Sequence, residues 1–188
     1  MNSAKHLDKQ DQRLLALWAA DCAEHVLPFF EEQHPQDDRP RKAIGAARAW
    51  VRGEIACGAA RAAAVAAHAA ARAADEGAAR AVARAAGHAA GTAHMAGHAR
   101  HAAAYAVKAA TAAAVPADAG TASATERDWQ CRRLSVNLRN QQSNREAQGK
   151  NHEYTIRLAR LRDSVCERCP GEPRLLRRGL RSFPALFQ

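Results

Sequence analysis

A chain of 188 residues has room for one domain with an appendage, and 49 alanines beside an aromatic content of 5% make its 47% hydrophobic fraction mostly methyl groups. The formal charge of +9 is uneven, with 14 Lys and Arg against 12 Asp and Glu in residues 1–125 and 14 against 7 in residues 126–188. The basicity belongs to the last third and does not make the whole chain a nucleic-acid binder. No apolar run is long enough for a bilayer span, "MNSAKHLDKQDQ" has no signal-peptide core, and five scattered cysteines do not read as a disulfide framework; together these exclude a membrane protein and point to the cytoplasm.

The first predicted element is an amphipathic helix in "DQRLLALWAADCAEHVLPFFEE", with Leu14, Leu15, Trp18, Cys22, Val26 and Phe29 or Phe30 at three-and-four spacing. Pro28 lies inside the pattern and predicts a kink or a break. "HPQDDRPRK" then offers a start signal, an Asp37 or Asp38 cap with Pro40 in the first turn, for a helix that turns Ala43, Ile44, Ala47, Trp50 and Val51 inward and stops near Gly53.

From Ala59 to Ala114 helix propensity is strong and is broken around "ADEG", residues 74–77. The reading is one helix from Glu54 or Ala59 to Ala74 and a second from Ala78 to Ala114 that can bend at Gly87 or Gly91. Pro116 ends it, "ADAGTASATE" reads as a polar linker, and "TERDWQCRRL" as a short helix carrying Trp129. The expected architecture is all-α: a compact bundle of about five helices with alanine-rich central helices over residues 1–134, followed by a basic tail of low order over residues 135–188. Trp18 and Trp50 are its expected buried anchors.

Histidines are the unusual polar residues. On a continuous helix His94, His98, His101 and Tyr105 share one face, extended by Arg80, Arg84, Gly87 and Gly91, while Glu54, Arg61, His68 and Arg72 line a face of the preceding helix. Three chemistries compete for these stripes. His94 and His98 at i, i+4 have metal-ligand spacing, but Met95 stands where a zinc protease carries its glutamate, and no further ligand lies near in sequence. His98 with Tyr105, or His68 with Glu54, has the composition of an acid–base pair, yet neither Cys57 nor Thr92 has the surroundings of a nucleophile. The most economical reading is a partner-binding surface made of His68, Arg72, His94, His98, His101 and Tyr105, with His88 assigned to packing and no cofactor called for. In the tail, "CERCP" holds a lone Cys-x-x-Cys pair, Cys166 and Cys169, with His152 as the nearest histidine, too little for a zinc site.

Taken in order, "WAADCAEHVLPFFEE", "DDRPRKAIGAARAWVRGEI", "RAAAVAAHAAARAA" and "ARAAGHAAGTAHMAGHARHAAAYAVKAA" resemble the bacterial immunity proteins of the Imm-five-like helical family. The likeness runs from Leu14 to Ala114 and more weakly through "ERDWQCRRL". It includes Trp18, Asp21, Cys22, Asp38-Arg39-Pro40, Trp50, Gly53, His68, Arg72, Gly87-His88, His94, His98 and Tyr105. The resemblance implies a non-enzymatic protein that shields its own cell by binding a cognate toxin. Two alternatives stay open: a nucleic-acid-associated helical protein that uses its basic tail, and a histidine-dependent metalloenzyme.

Overall fold

The computed structural model describes residues 9–146, with side chains described as far as Leu138. Among these residues are seven α-helices and no strand: α1 (Lys9–His25), α2 (Pro28–Glu31), α3 (Arg39–Arg52), α4 (Cys57–Ala73), α5 (Ala78–Gly91), α6 (His98–Ala113) and α7 (Ala119–Glu146), with a 3-10 turn at Pro116–Asp118 between the last two. The all-α bundle is the expected one, and at Pro28 the expected break is found, with the short helix α2 after it. A loop over residues 92–97 separates α5 from α6, where a single helix from Ala78 to Ala114 was expected.

Local chemistry sets the boundaries. Asp38 occupies the N-cap position of α3, yet it is the Asp37 carboxylate that accepts the backbone N–H of Arg39, at 3.1 Å, and Pro40 fits the first turn, where no N–H is needed. Gly53 ends α3 with φ 81°, a conformation that costs a side chain strain, and the Glu54 N–H reaches back to the Ala49 carbonyl at 2.9 Å. Glu54 therefore lies in the turn before α4 and does not share a helix face with His68. At the far end of α4, the Arg80 guanidinium donates to the Ala74 carbonyl at 2.9 and 3.1 Å, satisfying an acceptor at the helix terminus.

Helix α5 is the axis of the bundle, packed against α1, α2, α3, α4 and α6. Its alanines and glycines, together with Val82, are buried, and Arg80, Arg84 and His88 form its one polar stripe, at i, i+4 spacing and half-buried. Such small residues remove little apolar area apiece but let neighbouring helices approach closely, so that dispersion contacts accumulate. Bulk comes from elsewhere: Leu14, Trp18, Val26 and Phe30 from α1, α2 and their junction, and Leu134 from α7, all nearly inaccessible to solvent. Trp18 and Trp50 are both buried as expected, but Trp50 centres a separate small cluster with Ala16, Ala60 and Ala93.

Helix α7 starts at Ala119, six residues before the expected start at Thr125, so the expected linker is largely helical. It continues without interruption through Leu134 to Glu146, and the expected division between domain and tail falls inside it. Glu126, Gln130, Leu134, Asn137 and Leu138 form its buried face. Asp21 of α1, 4% exposed, accepts from Arg48 of α3 at 2.9 Å and from Arg133 and Asn137 of α7 at 2.7 and 3.2 Å. The Trp18 indole N–H donates to the Gln130 carbonyl at 2.9 Å, and His25 stacks flat on Trp129 while bonding buried Glu126 at 2.7 Å. Cys22 is buried in α1 and Cys57 is half-buried at the start of α4. No helix among the described residues is long and apolar enough to cross a membrane. The basic segment with Cys166, Cys169 and His152 lies outside the described residues.

Candidate functional site

His88 is the hub of a cluster of rings drawn from four elements. His68 of α4 meets it edge-on at 4.9 Å between centroids. From α6, His98 and His101 each lie 5.2 Å away and Tyr105 stacks on it at 5.3 Å with 11° between planes. His94, in the loop between α5 and α6, joins through His98 at 4.9 Å. The Nδ1 atoms of His88 and His98 are 3.0 Å apart, a hydrogen bond in which one ring donates and the other accepts. Lys108 covers the Tyr105 ring at 4.9 Å and closes the stripe along α6.

Two glycines make room for this arrangement. A Cβ on Gly87 would stand 2.5 Å from the His68 ring, and one on Gly91 would stand 3.2 Å from the His98 ring, so both imidazoles lie directly on the backbone of α5. The loop is held from outside: Gln12 of α1 donates to the carbonyls of Thr92 and Ala93 at 2.8 and 3.1 Å, and the Cys57 thiol approaches the Ala93 carbonyl at 3.4 Å. Those bonds satisfy carbonyls that a continuous helix would have used, and they place His94 over His98 across the break.

The site is rich in donors and poor in anions. Between Cys57 and Ala113 the only acidic residues are Asp75 and Glu76, and of the arginines on α4, α5 and α6 only Arg80 forms an ion pair among the described residues, with Glu76 at 3.1 Å. Burial, reinforced by the fields of His68, His98, His101 and Arg84, pushes His88 down to about 4. Burial, then Arg84, His98 and Arg72, lowers His68; burial, then His94 and His101, lowers His98. All three are neutral near pH 7. His68 Nδ1 is buried without a hydrogen-bond partner.

Of the six residues expected to form the surface, His68, His98, His101 and Tyr105 converge around His88, and exposed His94 joins them at the rim. Arg72 is exposed one turn beyond His68, touches no ring and acts on the cluster through its charge alone. Val65 on α4 and Met95 in the loop are exposed apolar side chains on the bordering elements. The residue that the sequence reading assigned to packing, His88, holds the cluster together; its signal was the Arg80–Arg84–His88 spacing on an otherwise featureless helix.

The competing chemistries find less support. His94 and His98 do not occupy one continuous helix, and among the described residues no three His, Cys, Asp or Glu side chains are placed to hold a metal ion. Glu54, the partner imagined for His68, is held by Arg52 at 2.5 and 2.7 Å. Tyr105 lies against His88, while His98 bonds to His88 rather than to the phenol.

The profile of one protein family, described as Imm-5 like putative immunity protein, matches residues 5–137. That span takes in α1 to α6 and α7 as far as Asn137. No curated protein and no solved structure matches the chain.

Proposed function

Because the chain belongs to the family of Imm-5 like immunity proteins, we propose that it protects the cell that makes it by binding a cognate protein toxin and covering the toxin's working surface, without catalysing a reaction itself. The contact surface is centred on His68, Arg72, His94, His98, His101 and Tyr105, with His88 beneath them. One observation carries this reading. Five imidazoles and a phenol from four elements meet on a face that has no carboxylate of its own, and their packing is built into α5 by Gly87 and Gly91. Rigid aromatic groups lose little conformational entropy when they are covered, and unpaired arginines with exposed Val65 and Met95 around them supply the mixed polar and apolar rim common at protein interfaces.

Co-expression with the toxin encoded beside its gene tests the reading. Cells carrying both are expected to grow, and the two purified proteins are expected to form a stable complex. Reversing the charge at the rim with Arg72→Glu, or placing a negative charge in the cluster with His98→Glu, should abolish protection while the helical spectrum is kept. Absence of any complex with the neighbouring toxin would overturn the proposal.

A further inference from the structure

The principal carboxylates outside the cluster are already satisfied: Asp21 has three donors, Glu126 has His25 and Gln130, and Glu31 has Arg41. The groove beside Phe29, Ala110 and Glu126 is mostly apolar, and its single buried carboxylate is already satisfied. The imidazole cluster gathers donors from four elements with no carboxylate among the described residues to receive them.

We propose that this cluster is a receiving site for a carboxylate side chain on an acidic surface of the partner, and that it takes up a proton from solvent as the carboxylate enters. The inference rests on the toxin-binding reading and names the chemistry of the contact. The geometry supports it in three ways. The groups facing His88 are His68 from α4, Arg84 from its own helix, and His98, His101 and Tyr105 from α6, with Arg72 and His94 one ring further out; no charged group of α1, α2 or α3 acts on it. None of these neighbours is an acid, so none of the described residues supplies the charge that would stabilise an imidazolium, and a partner's carboxylate would. The His88–His98 bond also has room for one more proton. The ring that donates through Nδ1 carries an open Nε2, and protonation there strengthens the bond, whereas a second proton would put hydrogens on both Nδ1 atoms and break it. The site is compact as well. Ring centroids lie 4.9 to 5.3 Å from His88, which suits one carboxylate better than the spaced phosphates of a nucleic acid.

The balance is simple. An imidazole nitrogen gains a proton from buffer, the carboxylate stays ionised, and a charge-assisted N–H to oxygen bond forms between them. The partner's affinity therefore rises as pH falls into the acid range in which the cluster takes up its proton.

The test uses the full chain and follows the histidine Cε1–H resonances by NMR between about pH 4 and 8, with His→Gln variants for assignment. Three probes are added in turn: an oligoglutamate peptide, an oligoglutamine peptide of equal length, and an oligothymidylate. Oligoglutamate should raise the apparent pKa of the His88–His98 pair by about one unit, tenfold in proton affinity. Oligoglutamine should do nothing, and the His98→Gln, His101→Gln double variant should lose the response while keeping its helical spectrum. An unmoved cluster, an equal response to oligoglutamine, or a response that survives in the double variant overturns the proposal. An equal response to oligothymidylate overturns it in favour of a phosphate site. Since no toxin is present, these failures leave toxin binding through other contacts standing, whereas loss of protection with the peptide response intact would overturn the functional reading alone.

Discussion

Two polar clusters of this bundle stand in contrast. On one side, the Asp21 carboxylate joins α1, α3 and α7, and every demand it makes is met within the chain: Arg48 and Arg133 neutralise it, and Asn137 supplies a further donor. Arg48 also grips Glu24 with two bonds of 2.6 Å, which lowers Glu24 below the usual carboxylate range and raises Arg48. On the other side, α4, α5, the 92–97 loop and α6 gather five imidazoles with no counter-charge among the described residues, and three of them are held neutral. Burial and polarity are comparable, but complementarity is not. A cluster closed within its own chain fastens helices together, and a cluster left open on one sign of charge is suited to a partner of the other.

The sharpest way to break the contrast is to remove the closed cluster. Asp21→Ala should cost about 3 kcal/mol, because it leaves two guanidinium groups and an amide without the acceptor that compensated their partial burial. Urea denaturation of the variant checks this. A loss below about 1 kcal/mol would mean that solvent already satisfies Arg48 and Arg133, and the two clusters would then differ less than their geometry implies.

Acid should separate the clusters next. His68, His88 and His98 have lowered folded-state pKa values, so between about pH 6.5 and pH 4 the unfolded chain binds more protons at these rings than the folded chain does. Their contribution is fully present above the unfolded value and is lost as pH falls through the folded ones. The melting temperature should accordingly drop by several degrees from pH 7 to pH 5 in the wild type and by less in a His88→Gln variant. Parallel curves for the two proteins would remove the imidazoles from the stability balance.

Much of the fold was legible in the sequence, and the reasons differ by element. In α1 and α3 large apolar residues repeat at helical spacing, so Trp18, Ile44 and Trp50 announced their buried faces. Helix α7 also keeps a helical period in Glu126, Gln130, Leu134, Asn137 and Leu138, but three of the five are polar, and a search for apolar repeats therefore saw only a short helix. The break at 92–97 is tertiary in origin: "TAHMAG" contains no proline, and its chain path is fixed by Gln12 and Cys57 from far away in sequence. That break hid the centre of the site. On one continuous helix His88 points well away from His94 and His98, and only the turn back at Thr92 sets His98 and His101 against it.

A gentler perturbation of the open cluster is Gly87→Ala. Alanine is preferred to glycine inside a helix by ~1 kcal/mol, and the group that its Cβ would meet is the end of the His68 side chain, which can swing away. Stability should change by no more than about 1 kcal/mol in either direction while protection against the toxin weakens, because His68 no longer lies against His88. Full protection by a variant whose His68 resonance has moved would place His68 outside the contact surface.

The smallest expected change in stability, and the one that bears most directly on the contrast, is the double substitution His98→Gln, His101→Gln. His101 is exposed, and a glutamine at 98 can still offer either a donor or an acceptor to His88 Nδ1, so no buried group is orphaned and the fold should lose less than about 0.5 kcal/mol. The partner should notice far more. Glutamine cannot take up a proton, and truncating central contacts weakens an interface by roughly 1–3 kcal/mol, up to about a hundredfold in Kd for the toxin. Calorimetry on the complex and thermal melts of the free variant read the two effects separately. A large drop in melting temperature would make the open cluster a second fastening like that of Asp21, and an unchanged Kd would leave its imidazoles as half-buried packing with no part in recognition.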